Sequence, residues 1–182
     1  DLSEKAHPAA KKEWSAMEVF AAENLKLTRL EKWDTAFVAE KLKQAEFDLN
    51  EQELKPYFPL DKVLNGLFEI VEKLYGLRFH KTIEIDTYQE EVVVYEVKKD
   101  NQFFALLYTD FFPRPGKRNG AWMTSYRSQK KGQRPHVSIV CNFSRPTKTQ
   151  PSLLTFQEVT TLFHEFGHAL HGILANTNYS GL

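Results

Sequence analysis

Leu162-Phe163-His164-Glu165-Phe166-Gly167-His168-Ala169-Leu170-His171-Gly172 is the stretch on which the reading of this chain turns. Just upstream, Thr155-Phe156-Gln157-Glu158 has the form of a capping box, in which the Thr155 hydroxyl and the Glu158 carboxylate each take a free backbone N–H of the other residue. A helix is therefore predicted to open at Thr155. Val159, Leu162, Phe163, Phe166, Leu170 and Ile173 recur at helical spacing and share one face at about 100° per residue. His164 and His168 fall roughly opposite that face. The helix is expected to bury its apolar side and to turn its histidines toward a cleft. Gly167 and Gly172 each cost about 1 kcal/mol of helix propensity, which is understandable where another backbone or a ligand must come close.

The spacing H-E-x-x-H has a chemical consequence. Four residues advance a helix by about 400°, so His168 lies only ~40° round from His164 and one turn along. Two imidazoles so placed can reach one Zn²⁺ at about 2.0–2.1 Å each. Glu165 lies about 100° from His164, beside such an ion, where it can act as general base and take a proton from an attacking water. The pattern is that of a zincin. His171 shares the histidine face but stands roughly 10 Å along the axis from His164, which suits the wall of a cleft better than ligation. A catalytic zinc needs a third protein ligand, and neither an acidic residue after Glu165 nor a histidine after His171 occurs in the sequence. The third ligand is expected beyond Leu182. The alternative is an upstream carboxylate, Asp110 or Glu96, folded over the site.

Working outward, helical spacing of Trp14, Met17, Ala21 and Leu25 predicts a helix from Pro8 to about Leu30. Asp34 is placed as N-cap of the next helix, with Trp33 and Val38 as a hydrophobic staple around it. Asn50 and Glu53 suggest a short helical turn. Asp61 is read as the cap of an amphipathic helix carrying Val63, Leu64, Leu67 and Leu74, stopped by Gly76. Beyond Gly76 the pattern changes. Ile83-Glu84-Ile85-Asp86 alternates, Val92 to Val97 and Phe103 to Tyr108 read as a β-hairpin across Lys99-Asp100-Asn101, residues 113–120 read as a loop, and Val137 to Phe143 as a further strand. The fold class is α+β: a mainly helical N-terminal part, then a small, mostly antiparallel β-sheet and the zincin-type helix. A helical segment, 1–78, and a partial catalytic core, 79–182, are expected to form one continuous region.

Among the 182 residues, 42% are apolar, 13% aromatic and 26% charged, enough to bury a core and too hydrophobic for a disordered chain. The net charge of zero argues against a dedicated nucleic-acid or membrane-surface binder, and no apolar run approaches the ~18 residues that span a bilayer. The single cysteine, Cys141, has no intrachain partner and is read as a buried free thiol in a strand, which fits a reducing, cytoplasmic compartment.

Leu162 to Gly172 resembles the active-site helix of the thimet oligopeptidase family of zinc peptidases. Leu54-Lys55-Pro56-Tyr57-Phe58-Pro59-Leu60, Gly116-Lys117-Arg118-Asn119-Gly120-Ala121-Trp122-Met123, and Arg134-Pro135 with Val140-Cys141-Asn142 resemble most the bacterial peptidyl-dipeptidase branch. The resemblance implies a largely helical, clam-like metallopeptidase with a deep channel, zinc as cofactor, short peptides as substrates and release of C-terminal dipeptides. It also implies that the third ligand is a glutamate on a later helix, so that this chain is part of a longer catalytic region. Two local readings go with it: the strand Val137 to Phe143 binds substrate backbone by strand addition, and the basic stretch Arg114, Lys117, Arg118, Arg127, Lys130, Lys131 and Arg134 attracts a substrate C-terminal carboxylate. A non-catalytic peptide-binding module that keeps the helix without the chemistry is the rival reading.

Overall fold

The computed structural model describes residues 1–47 and 51–180. They fall into two compact units, Asp1–Asn50 and Glu51–Leu182. In the first, α1 (Leu2–Leu25) pairs with α2 (Thr35–Phe47). A capping box between Asp1 and Glu4 starts α1 earlier than Pro8, which lies inside it. The helix ends at Leu25 rather than near Leu30, because Lys26 adopts a left-handed φ of 58° and the Leu27 N–H turns back to the Ala21 carbonyl. Ala21, Leu30 and Val38 form the core of this unit. Asp34 does precede α2, and its carboxylate accepts from the Glu31 N–H. The staple does not form: Val38 is buried, whereas Trp33 is 78% exposed.

The second unit opens with α3 (Glu51–Leu54) and a 3₁₀ turn, Lys55–Tyr57. Glu53 lies in α3, and Asn50 lies outside the described residues. The amphipathic helix α4 (Leu60–Tyr75) is capped by Pro59, not Asp61. The reason is tertiary. The Leu60 N–H that a side chain would otherwise satisfy donates to the Ser152 carbonyl. Leu60, Leu64, Leu67 and Val71 are buried, Leu74 points outward, and Gly76 ends the helix at a φ of 69°.

A five-stranded sheet follows, in the order β1-β2-β3-β5-β4. β1 (Leu77–Thr82), β2 (Val93–Lys99) and β3 (Gln102–Asp110) form an antiparallel meander, β5 (His136–Val140) joins β3 in parallel, and β4 (Trp122–Arg127) closes the far edge antiparallel to β5. The predicted hairpin is present. Asp100 and Asn101 both take positive φ, 51° and 59°, as a two-residue turn that follows the strand twist requires. The alternation at Ile83–Asp86 is not a strand: Ile83 is exposed, and the strand lies just upstream, where Leu77 and Phe79 face the core.

The core lies between one sheet face and α4 together with α5 (Phe156–Leu174). Phe68 of α4 stacks on Phe79 of β1 at 4.2 Å, and Phe166 of α5 closes on both, at 6.0 and 5.7 Å. Such aromatic pairs add about 0.5–1.5 kcal/mol each beyond their burial. This cluster ties the helix that carries the histidines to the scaffold. Leu162, Phe166, Ala169 and Ile173 make its buried face, while Phe163 lies largely outside it.

Candidate metal centre

The Thr155–Glu158 box is formed: Glu158 N–H donates to Thr155 Oγ1 at 3.1 Å, and Thr155 N–H to the Glu158 carboxylate at 2.8 Å. The other end of α5 is held by Arg134. Its guanidinium donates to the Ile173 and Ala175 carbonyls at 2.7 and 3.4 Å, and to Phe104 O at 2.7 Å, while lying 3.9 Å over the Phe104 ring. A cation on the last carbonyls of a helix also opposes its dipole. Packing adds to this near the same end. A Cβ on Gly172 would come within 3.1 Å of Met123 Cε and 3.3 Å of Val137 Cγ1, tight contacts that the glycine avoids where α5 approaches β4 and β5. Gly167 faces open space instead.

On the exposed face of this rigid helix, His164 Nε2 and His168 Nε2 converge to 3.2 Å. Two nitrogens each about 2.0–2.1 Å from a tetrahedral zinc stand roughly 3.3–3.4 Å apart, so the separation of the pair is close to what one shared ion requires. A cleft of about 530 Å³ runs beside them, walled on one side by Glu165, His168, His171 and Gly172. Ala121, Trp122 and Met123 complete its lining. His171 thus lines the cleft together with His168.

Neither upstream carboxylate joins the histidines, and among the described residues no group of three His, Cys, Asp or Glu side chains could hold a metal. Glu96 pairs with Lys98 at 3.1 Å. Asp110 is buried and enclosed: Arg114 donates to both of its oxygens at 2.7 and 2.8 Å, Lys117 to Oδ1 at 2.8 Å and Tyr88 to Oδ2 at 2.8 Å. Burial alone would raise this carboxyl, but the hydrogen bonds from Arg114, Lys117 and Tyr88 outweigh it and hold it at about 2. The ordinary value is about 3.9, so ionised Asp110 contributes about 2 kcal/mol of stability, present above roughly pH 4 and lost as pH falls toward 2. In urea unfolding at a series of pH values, the stability gap between the unmodified protein and Asp110→Asn will shrink by about that amount between pH 5 and pH 2. A gap independent of pH would show that the cluster does not hold the charge.

Two further expectations change. The strand β5 cannot take up an added strand, because β3 and β4 occupy both its edges. The free edge beside α5 is β4, which lacked a clear sequence signal because it buries neither face strongly. The basic stretch is also divided. Arg114 and Lys117 are committed to Asp110, and Arg134 to the end of α5. Arg118, Arg127, Lys130 and Lys131 remain exposed. Cys141 is a buried free thiol, as read, but lies one residue past the end of β5 and not within it; burial together with the nearby Glu165 charge pushes it up to about 12, so it is inert at neutral pH.

The histidines stand one turn apart on a helix that backs a mixed sheet and borders a cleft. Residues 1–182 match the family model for peptidase family M3 throughout, and the chain belongs to that family, which is the thimet oligopeptidase family. It is 37% identical to oligopeptidase A of Salmonella typhimurium, over 100% of this chain and 28% of the relative. It is 44% identical to dipeptidyl carboxypeptidase of Escherichia coli over 82% of this chain and 23% of the relative, and 40% identical to an organellar oligopeptidase A of Arabidopsis thaliana over 85% and 20%. The chain spans about a quarter of the length of the curated relatives it matches. Among the described residues no helix is long and apolar enough to cross a membrane.

Proposed function

We propose that the full-length protein is a zinc-dependent oligopeptidase that hydrolyses short peptides, with removal of C-terminal dipeptides as its mode of action. The observation that carries this reading is the 3.2 Å convergence of His164 Nε2 and His168 Nε2 at the mouth of a cleft that Glu165 lines. His164 and His168 bind the metal, and the remaining protein ligand comes from outside the described residues. Bound zinc would supply Lewis acidity toward the attacking water and the scissile carbonyl. Glu165 takes the water proton and returns it to the leaving amine. An extended peptide lies along the free edge of β4, where unpaired backbone groups satisfy its own. The exposed Arg118, Arg127, Lys130 and Lys131 are the cations left to attract a C-terminal carboxylate. A cytoplasmic setting agrees with the single unpaired, buried cysteine.

The rival reading, a peptide-binding module without chemistry, draws on the lack of a third ligand among the described residues. Zinc stoichiometry and peptide hydrolysis, measured together on the full-length protein, separate the two. A peptidase of this kind binds one zinc per chain, and its kcat/KM on an unstructured peptide of about ten residues exceeds that on a folded protein by at least about 100-fold, or 2.7 kcal/mol in transition-state stabilisation. Comparable rates on both substrates would overturn the oligopeptidase assignment, and no hydrolysis with zinc bound would favour the binding module.

A further inference from the structure

The part of the cleft lining that β4 supplies begins where residues 111–121 arrive from β3, and two side chains hold this loop from within. Lys117 is only 3% exposed, and its Nζ donates to the carbonyls of Asp110, Phe112 and Cys141 at 3.0, 2.7 and 2.6 Å as well as to Asp110 Oδ1. Asn142, two residues past the end of β5, donates from Nδ2 to the carbonyls of Arg118 at 3.0 Å and Gly120 at 2.8 Å. Both N–H bonds of the one amide are thus spent on the backbone that leads into β4. The residue after Gly120 is Ala121, the first of the cleft wall.

We propose that Asn142 is a positioning residue for the reaction put forward above, on which this inference rests. It touches no reacting atom. Through the Arg118 and Gly120 carbonyls it fixes Ala121–Met123 at one distance from Glu165 and His168, and with them the register of a peptide lying on β4. A misplacement of 1 Å at such a distance costs up to about 100-fold in rate. Lys117 anchors the first half of the loop independently, so loss of Asn142 frees the second half and leaves the fold standing.

The test uses the full-length protein loaded with zinc. Asn142→Asp keeps the volume but has no N–H to donate and sets a carboxylate against two carbonyls, whereas Asn142→Ala only removes the bonds. The expected result for Asn142→Asp is unchanged zinc content, a melting temperature within a few degrees, kcat lowered at least about tenfold and faster amide exchange confined to residues 118–123. Asn142→Ala shows the same pattern at smaller amplitude. Unchanged kcat with unchanged exchange at 118–123 would overturn the proposal, and so would uniformly faster exchange with a large fall in melting temperature in both variants, which marks a role in stability alone. If the unmodified protein binds zinc yet hydrolyses no peptide, the peptidase reading fails instead. The exchange measurement then decides the anchoring by itself: local opening upholds it, and unchanged exchange overturns it.

Discussion

His164→Ala or His168→Ala will abolish stoichiometric zinc binding by the full-length protein, whereas Glu165→Gln will leave zinc in place and remove hydrolysis. The two histidines present their Nε2 atoms at nearly the separation that a tetrahedral ion requires. Glu165 projects a different way round the helix, into the cleft. Either alanine removes one of three protein ligands together with the geometry the helix imposes. Glutamine at 165 keeps size and polarity but cannot accept the water proton, and loss of a positioned general base costs about 10²–10⁴-fold in kcat. Metal analysis beside kcat on a short peptide separates the roles. Should Glu165→Gln lose zinc as completely as His164→Ala, Glu165 is a ligand and the assignment of roles is wrong.

The helix that carries these residues was legible because everything that specifies it is local. The Thr155–Glu158 box, the apolar stripe and the four-residue histidine spacing lie within one 20-residue window, and their outcome differs from expectation chiefly at Phe163, whose side chain falls beyond the buried stripe. β1 could have been read from the alternation of Leu77 and Phe79 with Arg78 and His80 immediately after Gly76. β4 could not, because a half-exposed edge strand has little periodicity to show. The insertion of β5 between β3 and β4 leaves no local mark at all, and for that reason substrate pairing was assigned to a strand whose two edges are already taken. The same blindness to tertiary partners explains the cap of α4, where a carbonyl from Ser152 does the work expected of Asp61. It also explains the basic stretch, three of whose cations turn inward to Asp110 and to the end of α5.

The 182-residue chain by itself will bind zinc weakly and will not hydrolyse peptides. His164 and His168 supply two positions of a tetrahedral shell, and among the described residues no third ligand stands near enough to complete it. Water must fill the rest, no carboxylate in the shell offsets the dication, and both imidazoles face solvent. A complete four-ligand protein site binds with about 10–16 kcal/mol. Half of that, roughly 5–8 kcal/mol, corresponds to a Kd between about 1 μM and 0.2 mM. Equilibrium dialysis should therefore find less than one zinc per chain at submicromolar free metal, and a fluorogenic peptide should remain intact, with circular dichroism recorded alongside to establish that the chain has folded. Stoichiometric zinc at submicromolar concentration together with turnover would require a ligand from within these residues. Asp110 would have to leave Arg114, Lys117 and Tyr88 to provide it, a rearrangement that exposes two cations packed around a buried carboxylate and costs several kcal/mol. That cost is why the missing ligand is sought outside the described residues and not in a refolded upstream strand.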